Sequence, residues 1–417
     1  MTPVAPLPRD LKFFLIATLA LALALAAARQ LPALVFAPAD LHFDIARNLL
    51  HSGTFGRTPG GHTLVRGPAF VLWLLPWTAL GGGQPLAGVL ACVAAQGLGA
   101  LAIARLARRF ARDAAAQQDQ LAQLAGLAWL LHPALAYFDL HVESVAFEGL
   151  TVALCILAGV RWREDPTWNR VLVLGVTVGI ATLSRQTLAV FCGVGSAGLV
   201  VSGGGAWSRR LGRVLAVAAV SLLVIAPWTA RNYAITGQFY LVQSSLPGVF
   251  LTGNAHAFAT GSAFVPSRQA PLSPLDIRAW GERTHGSYWA SFEPEGDAHF
   301  APLVRPMWTD ARLLLRKLAV LGPRLWYAGT TPAHTTWLLA LALPLYLLGL
   351  LGFLRLPPAS EPQHWLAPLL LAWLAATVVH GLVYSWHRYG LPLLPPLLPF
   401  AAHGVRTLRQ KFAKREG

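Results

Sequence analysis

Apolar residues in this chain come in long blocks separated by short polar turns. A helix needs about 20 apolar residues to cross the hydrocarbon core of a bilayer. Blocks that approach this length are Leu11 to Ala28, Pro85 to Leu106, Leu121 to Phe138, Ser144 to Val160 and Val171 to Leu183. They continue with Thr187 to Val201, Val214 to Trp228, Thr336 to Leu354, Leu366 to Val383 and Leu391 to Val405. The block Ala69 to Leu80 is shorter, carries Pro76 and is flanked by Trp73 and Trp77, which suits a helix lying in the interface. The pattern predicts an all-α polytopic membrane protein of about ten transmembrane helices, a single domain over 1–417.

Two polar stretches interrupt the apolar pattern. One is a first external loop, 38–83, with interfacial helices; the other is a long external loop, 229–332, closing in a basic amphipathic stretch, Ala311 to Tyr327, that suits the membrane surface. Arginine clusters at 105–112, 161–170 and 209–213 and the tail from Arg406 to Arg415 all fall on one side. The positive-inside rule makes that side cytoplasmic, with both termini there and both loops outside. The N-terminal block resembles a signal peptide without a convincing small-residue cleavage site, so it reads as an uncleaved first helix.

Composition narrows the class. Of 417 residues 55% are hydrophobic and 12% charged, about half the charge of a soluble domain. That excludes a soluble enzyme, a disordered chain and a disulfide-stapled secreted domain. The net charge of +15 raises nucleic acid as a partner, but the cations stand at the ends of apolar blocks and form no basic polar face. Cys92, Cys155 and Cys192 all lie within apolar blocks and imply no disulfide framework.

With 18 acidic residues, location is informative. Asp40, Asp44, Asp139, Glu143 and Glu148 fall at or just inside the outer face, where a carboxylate is unfavourable unless paired or used. Arg47, Arg66, Arg185, Arg231 and Arg388 fall on the same face. Guanidinium forks hold phosphate oxygens, and a carboxylate takes a proton from a hydroxyl, so the set points to an anionic, membrane-delivered substrate. Structural readings stand beside these. Asp40 also suits an N-cap, Asp40, Asp44 and Arg47 suit a salt-bridged helix face, and Asp139 with Glu143 suits a cap on the fourth span. Arg185 and Arg388 also suit snorkelling at span ends. Glu148, lying deeper, is expected to pair with His132 or an arginine. His42 with Asp44 and His141 with Glu143 offer metal-ligand types, but no HExxH or Cys/His spacing supports a metal.

The string from Ala39-Asp40-Leu41-His42-Phe43-Asp44 to Gly53-Thr54-Phe55-Gly56, directly after the first span, resembles the first external loop of GT-C glycosyltransferases. The likeness is to the protein-O-mannosyltransferase and aminoarabinose-transferase group. Four later strings extend it: Arg66-Gly67-Pro68, Leu183-Ser184-Arg185-Gln186, Pro227-Trp228 through Arg231-Asn232-Tyr233 with Gly253-Asn254, and Arg388-Tyr389 with Pro392. The resemblance implies inverting transfer of a sugar from a polyprenyl-phosphate donor to an acceptor hydroxyl at the outer face of a bacterial inner membrane. Asp40 would be the general base, Arg66, Arg231, Arg388 and Arg185 would hold the donor phosphate, and no cofactor or metal is implied. Asp44, Asp139 and Glu143 would serve the acceptor or act as a secondary acid. The acceptor itself, a glycan, lipid or protein, is left open. Leu41 stands where many members carry a second acid, and Gly67 replaces a proline. The competing class is a transporter or lipid flippase, which would place charges near mid-membrane in both halves.

Overall fold

The computed structural model describes residues 9–29, 41–110, 115–244, 246–251, 282–283, 293–327, 332–356, 362–385 and 387–416. All regular elements among them are helical: α1 (Arg9–Ala28), α2 (His42–Ser52), α3 (Pro68–Leu80), α4 (Pro85–Ala107), α5 (Ala115–Leu130), α6 (Pro133–Leu140) and α7 (Val145–Glu164). There follow α8 (Trp168–Ser184), α9 (Leu188–Val201), α10 (Trp207–Thr236), α11 (Pro294–Val304), α12 (Ala311–Arg324), α13 (Pro332–Leu354), α14 (Gln363–Leu382) and α15 (Leu398–Glu416).

Six helices, α1, α4, α7, α10, α13 and α14, are long and apolar enough to cross a membrane. α5 and α6 together are also long and apolar enough, but they meet at a 43° bend, the geometry of a broken span or a re-entrant loop. The pattern predicted one continuous helix over Leu121 to Phe138; Pro133 removes a backbone donor there and starts α6 afresh. The other three predicted blocks appear as shorter or more polar helices. α8 and α9 have 17 and 14 residues. The last block begins with a 3-10 turn, Leu391–Leu393, and only then enters α15. α3, at 13 residues, has the short, interface-like length expected.

Burial sorts centre from rim. The apolar windows of α4 and α7 are 78% and 89% buried, whereas those of α1, α10 and α13 are 11–17% buried and present large aliphatic side chains outward. An aliphatic rim of this extent is stable against lipid and not against water. α7, with 20 residues, spans about 30 Å, the depth of the hydrocarbon core. The arginine-rich end is one layer: Arg108 pairs with Asp10 and with Asp119 at 2.7 Å, and Arg109 pairs with Glu164. Glu143, Glu148, Arg66, Arg185 and Arg388 lie at the opposite end of the bundle.

α13 and α15 cross closely through glycines. A Cβ at Gly352 would sit 1.8 Å from the Phe400 carbonyl oxygen, and one at Gly404 would sit 2.1 Å from that of Leu348. Backbone-to-backbone approach of this kind is how helices associate in a medium that gives no hydrophobic drive. Gly352→Ala should therefore destabilise the bundle by about 1–3 kcal/mol or more through forced separation of the two helices. A fall in melting temperature in detergent checks this, with Gly212→Ala, whose Cβ meets nothing within 4 Å, as the neutral control.

Candidate active site

Three chain segments bring their arginines to one place. The first is Arg66, whose neighbour Gly67 caps α3. A Cβ at Gly67 would fall 2.2 Å from the Leu183 carbonyl oxygen, so only glycine lets this loop lie against the end of α8. The departure from proline at 67 thus has a steric reason, and it sets Arg66 near the second arginine, Arg185, in the turn between α8 and α9. The third, Arg388, lies in the short helical turn His387–Gly390. All three line a polar cavity of about 140 Å³ together with His42, Glu148, His380 and Tyr389.

Two buried carboxylates brace this trio. Arg185 Nε lies 2.8 Å from Glu148 Oε2, and Arg388 Nε lies 3.0 Å from Glu143 Oε2. In neither does the N–H aim along the contact, so the attraction is ionic rather than a well-formed hydrogen bond. Ser144 Oγ donates to Glu148 Oε1, fixing that carboxylate from its other side. The Arg185 guanidinium also lies 4.4 Å above the ring of Tyr389, which stacks on His380 with centroids 5.4 Å apart. Among the described residues, the two terminal nitrogens of Arg185 have no hydrogen-bond partner. Glu143 follows Val142, whose φ of +55° is the left-handed backbone a β-branched residue rarely adopts. That strain turns the chain sharply between α6 and α7 and sits beside the site, as strain tends to.

The remaining predicted residues are placed apart from the cavity. Asp40 lies outside the described residues. Asp44 is on the exposed face of α2, 3.4 Å from Arg47 Nη2, so that pair is the surface salt bridge the spacing allowed. His42, two residues before Asp44, faces the cavity instead, since positions two apart do not share a helix face. Among the described residues no three His, Cys, Asp or Glu side chains converge as a metal site. Asp139 is fully buried, neither carboxylate oxygen has a hydrogen-bond partner among the described residues, and it does not line the cavity. Neither it nor Glu143 caps α7 through a side chain. Glu148 has the arginine partner expected of it.

Arg231 joins a second cluster. It donates to the carbonyl oxygens of Phe55 at 3.2 Å and Thr63 at 3.4 Å and packs 4.3 Å over the ring of Trp228. The adjacent Asn232 donates to the carbonyls of Tyr240 and Val242. Glu293, whose carboxyl is pushed up by burial, accepts from Thr63 Oγ1 and from the Leu64 amide at 2.9 Å. This cluster ties the first loop to the long loop. Sequence reasoning missed Tyr389, His380, Thr187, Gln243 and Val249 as cavity residues. The one signal available for His380 was a lone imidazole within an apolar span.

Residues 66–230 match the sequence profile of the family described as dolichyl-phosphate-mannose-protein mannosyltransferase. Among solved structures the chain is similar to the Archaeoglobus fulgidus oligosaccharyltransferase in its apo form, with 14% identity and a TM-score of 0.51 over 96% of this chain and 50% of that one. It is likewise similar to AglB from the same organism in complex with an inhibitory peptide and a dolichol-phosphate, with 13% identity and a TM-score of 0.50 over 97% and 51%. The stretch matched by the profile contains the strings at Arg66, at Leu183 to Gln186 and at Pro227-Trp228 that carry part of the resemblance read from the sequence. A third structure, ArnT from Cupriavidus metallidurans bound to undecaprenyl phosphate, has 14% identity and a TM-score of 0.44 over 96% of this chain and 78% of that one. The chain spans about half the length of the two archaeal structures. No curated protein sequence matches it.

Removing one member of a buried ion pair leaves the other charged in low dielectric, which costs about 3–5 kcal/mol. Glu148→Ala should therefore lower stability on that scale, and adding Arg185→Ala should recover part of the loss. A double-mutant cycle on thermal unfolding in detergent reads the coupling; additive losses would mean the pair is not formed.

Proposed function

We propose that this chain is an inverting glycosyltransferase of the GT-C type that moves a sugar from a polyprenyl-phosphate donor to an acceptor hydroxyl at the outer face of a bacterial inner membrane. The observation that carries this reading is the geometry of Arg185. Its Nε is held by Glu148 while its terminal nitrogens, without partners among the described residues, belong to a cavity shared with Arg66 and Arg388. The orientation, with both termini in the cytoplasm, rests on the arginine clusters at the far end.

In this mechanism Asp40 accepts the proton of the acceptor hydroxyl as its oxygen attacks the anomeric carbon. The bond from that carbon to the phosphate oxygen breaks on the opposite side, inverting the centre. The electron pair leaves on the polyprenyl phosphate, whose growing charge meets guanidiniums already in place. Pre-positioned cations need no rearrangement as the charge develops, and this is what the bracing carboxylates secure. Arg231, engaged with two carbonyls of the first loop, serves by shaping the loop that carries the acceptor side. Donor, acceptor and leaving group supply the chemistry without a resident cofactor.

A lipid donor also needs an apolar slot, and one is present. A cavity of about 730 Å³ runs between α13, α14 and the end of α12, lined by Trp326, Tyr346, Leu350, Phe353, Leu370 and Trp373 among others. Its Trp326 carbonyl meets His387 Nδ1 at 2.9 Å, one residue before Arg388, so the slot abuts the arginine cavity. One of the similar archaeal structures holds a dolichol-phosphate, a ligand of the same chemistry.

The test is sugar transfer from a radiolabelled polyprenyl-phosphate sugar by purified protein in lipid. Asp40→Asn should abolish turnover while donor binding persists. Arg185→Lys, which loses the fork, should lower kcat by about 100-fold, the scale of losing one charge-stabilising donor. Full transfer by folded Asp40→Asn would remove that residue as base, and absence of transfer by the wild type with every donor would favour transport.

A further inference from the structure

The arginine cavity holds about 140 Å³. Sites that enclose a small organic ligand measure about 300–1,000 Å³. A sugar joined to a phosphate therefore enters only if a wall moves. Most of the wall is unsuited to movement: Glu148, Ser144 and Ser184 are buried at the ends of packed spanning helices. Among the loop residues that complete the wall is Val249, in the segment 246–251 of the long loop.

Among the contacts that hold this segment from behind, two stand out. One is a small apolar cluster of Phe250, Leu251, Phe300 and Val304, with Met307 and Leu314 against it. The other is Lys317 on α12. The amphipathic pattern predicted a basic helix facing lipid headgroups, but this lysine turns inward and is fully buried. Its Nζ donates to the carbonyl oxygens of Phe250 and Val383, both at 3.2 Å, and sits 3.3 Å from the centroid of the Phe250 ring. Val383 caps the C-terminal end of α14, where carbonyls lack helical partners and a cation is favoured. Among the described residues no carboxylate pairs with Lys317, and burial pushes its amine down to about 7. A buried cation held only by carbonyls and a ring is a reversible fastening, because water replaces those partners readily on release.

Phe250 follows Val249 in sequence, and Val383 precedes Tyr384; Val249, Val383 and Tyr384 all line the cavity. Lys317 thus joins two adjacent walls without touching the interior. We propose that Lys317 is a positioning residue that latches the segment 246–251 against the end of α14, and that its release opens the arginine cavity to the donor headgroup. The donor half of this statement rests on the function proposed above; the latch half rests on the contacts of Lys317 alone.

The test places a reporter thiol in the fixed wall. Thr187, in the turn between α8 and α9, lines the cavity, and the native Cys92, Cys155 and Cys192 are buried. Thr187→Cys in the full chain, reconstituted in nanodiscs, is labelled with a polar maleimide, and the rate is compared with and without Lys317→Met. Loss of the latch should speed labelling by about tenfold, the scale of losing hydrogen bonds to a charged group. Equal rates in two folded proteins overturn the latch. A lysine that only holds the outer loop together would lower the melting temperature and leave the thiol rate unchanged. Should Lys317→Met fail to fold, Phe250→Ala, which removes the ring beneath the ammonium, is read in the same way. In a separate arm, undecaprenyl phosphate should protect the thiol; absent protection overturns the donor reading of the cavity, while the labelling ratio still decides the latch.

Discussion

Guanidinium groups in a bundle of lipid-facing helices are tolerable only if something holds their charge, and here two buried glutamates do so. Glu148 and Glu143 each take the Nε edge of an arginine, 2.8 and 3.0 Å away. A carboxylate placed so deep would be unfavourable alone, and so would the arginine. Together they fix two planar forks in orientation, and the cavity inherits that rigidity. The strained Val142, the close approach at Gly67 and the Tyr389–His380 stack all act on the same point. Each narrows where one member of the arginine trio is able to sit.

The two ends of the bundle use charge differently. At the arginine-rich end, Arg108 and Arg109 reach acids on neighbouring helices through partly exposed pairs, which contribute little to stability and serve topology. At the site end the pairs are buried. The same residue type therefore forms partly exposed pairs at one end and buried pairs beside a cavity at the other. Between the two ends α4 and α7 provide a nearly fully buried centre, around which the lipid-exposed helices are arranged.

The long loop does more than connect spans. Glu293 ties it to the first loop through Thr63 and Leu64, Asn232 holds its first residues, and Lys317 holds the segment that walls the cavity. Every one of these contacts ends on a backbone carbonyl or amide or on a hydroxyl. Loops carry no periodic pattern, so their order here comes from polar side chains that satisfy backbone groups otherwise left unpaired.

Hydropathy alone made the chain an all-helical membrane protein, located most spans and sorted acids from arginine clusters by face, because transfer of apolar area into lipid is local and additive along a helix. The strings around Arg66, Arg185 and Arg388 were legible as members of one set, and Glu148 as a residue in need of an arginine. Spacing left undecided which glutamate meets which arginine, because those contacts join residues 37 and 245 positions apart. It also grouped Arg231 with the trio and Asp44 with His42, which the fold separates: one arginine is engaged by loop carbonyls, and one carboxylate lies on the outer face of its helix. The bend at Pro133 and the inward turn of Lys317 were likewise settled by packing. A sequence states which charges must be compensated; only the folded bundle decides which neighbour compensates them, since that depends on which helix ends meet.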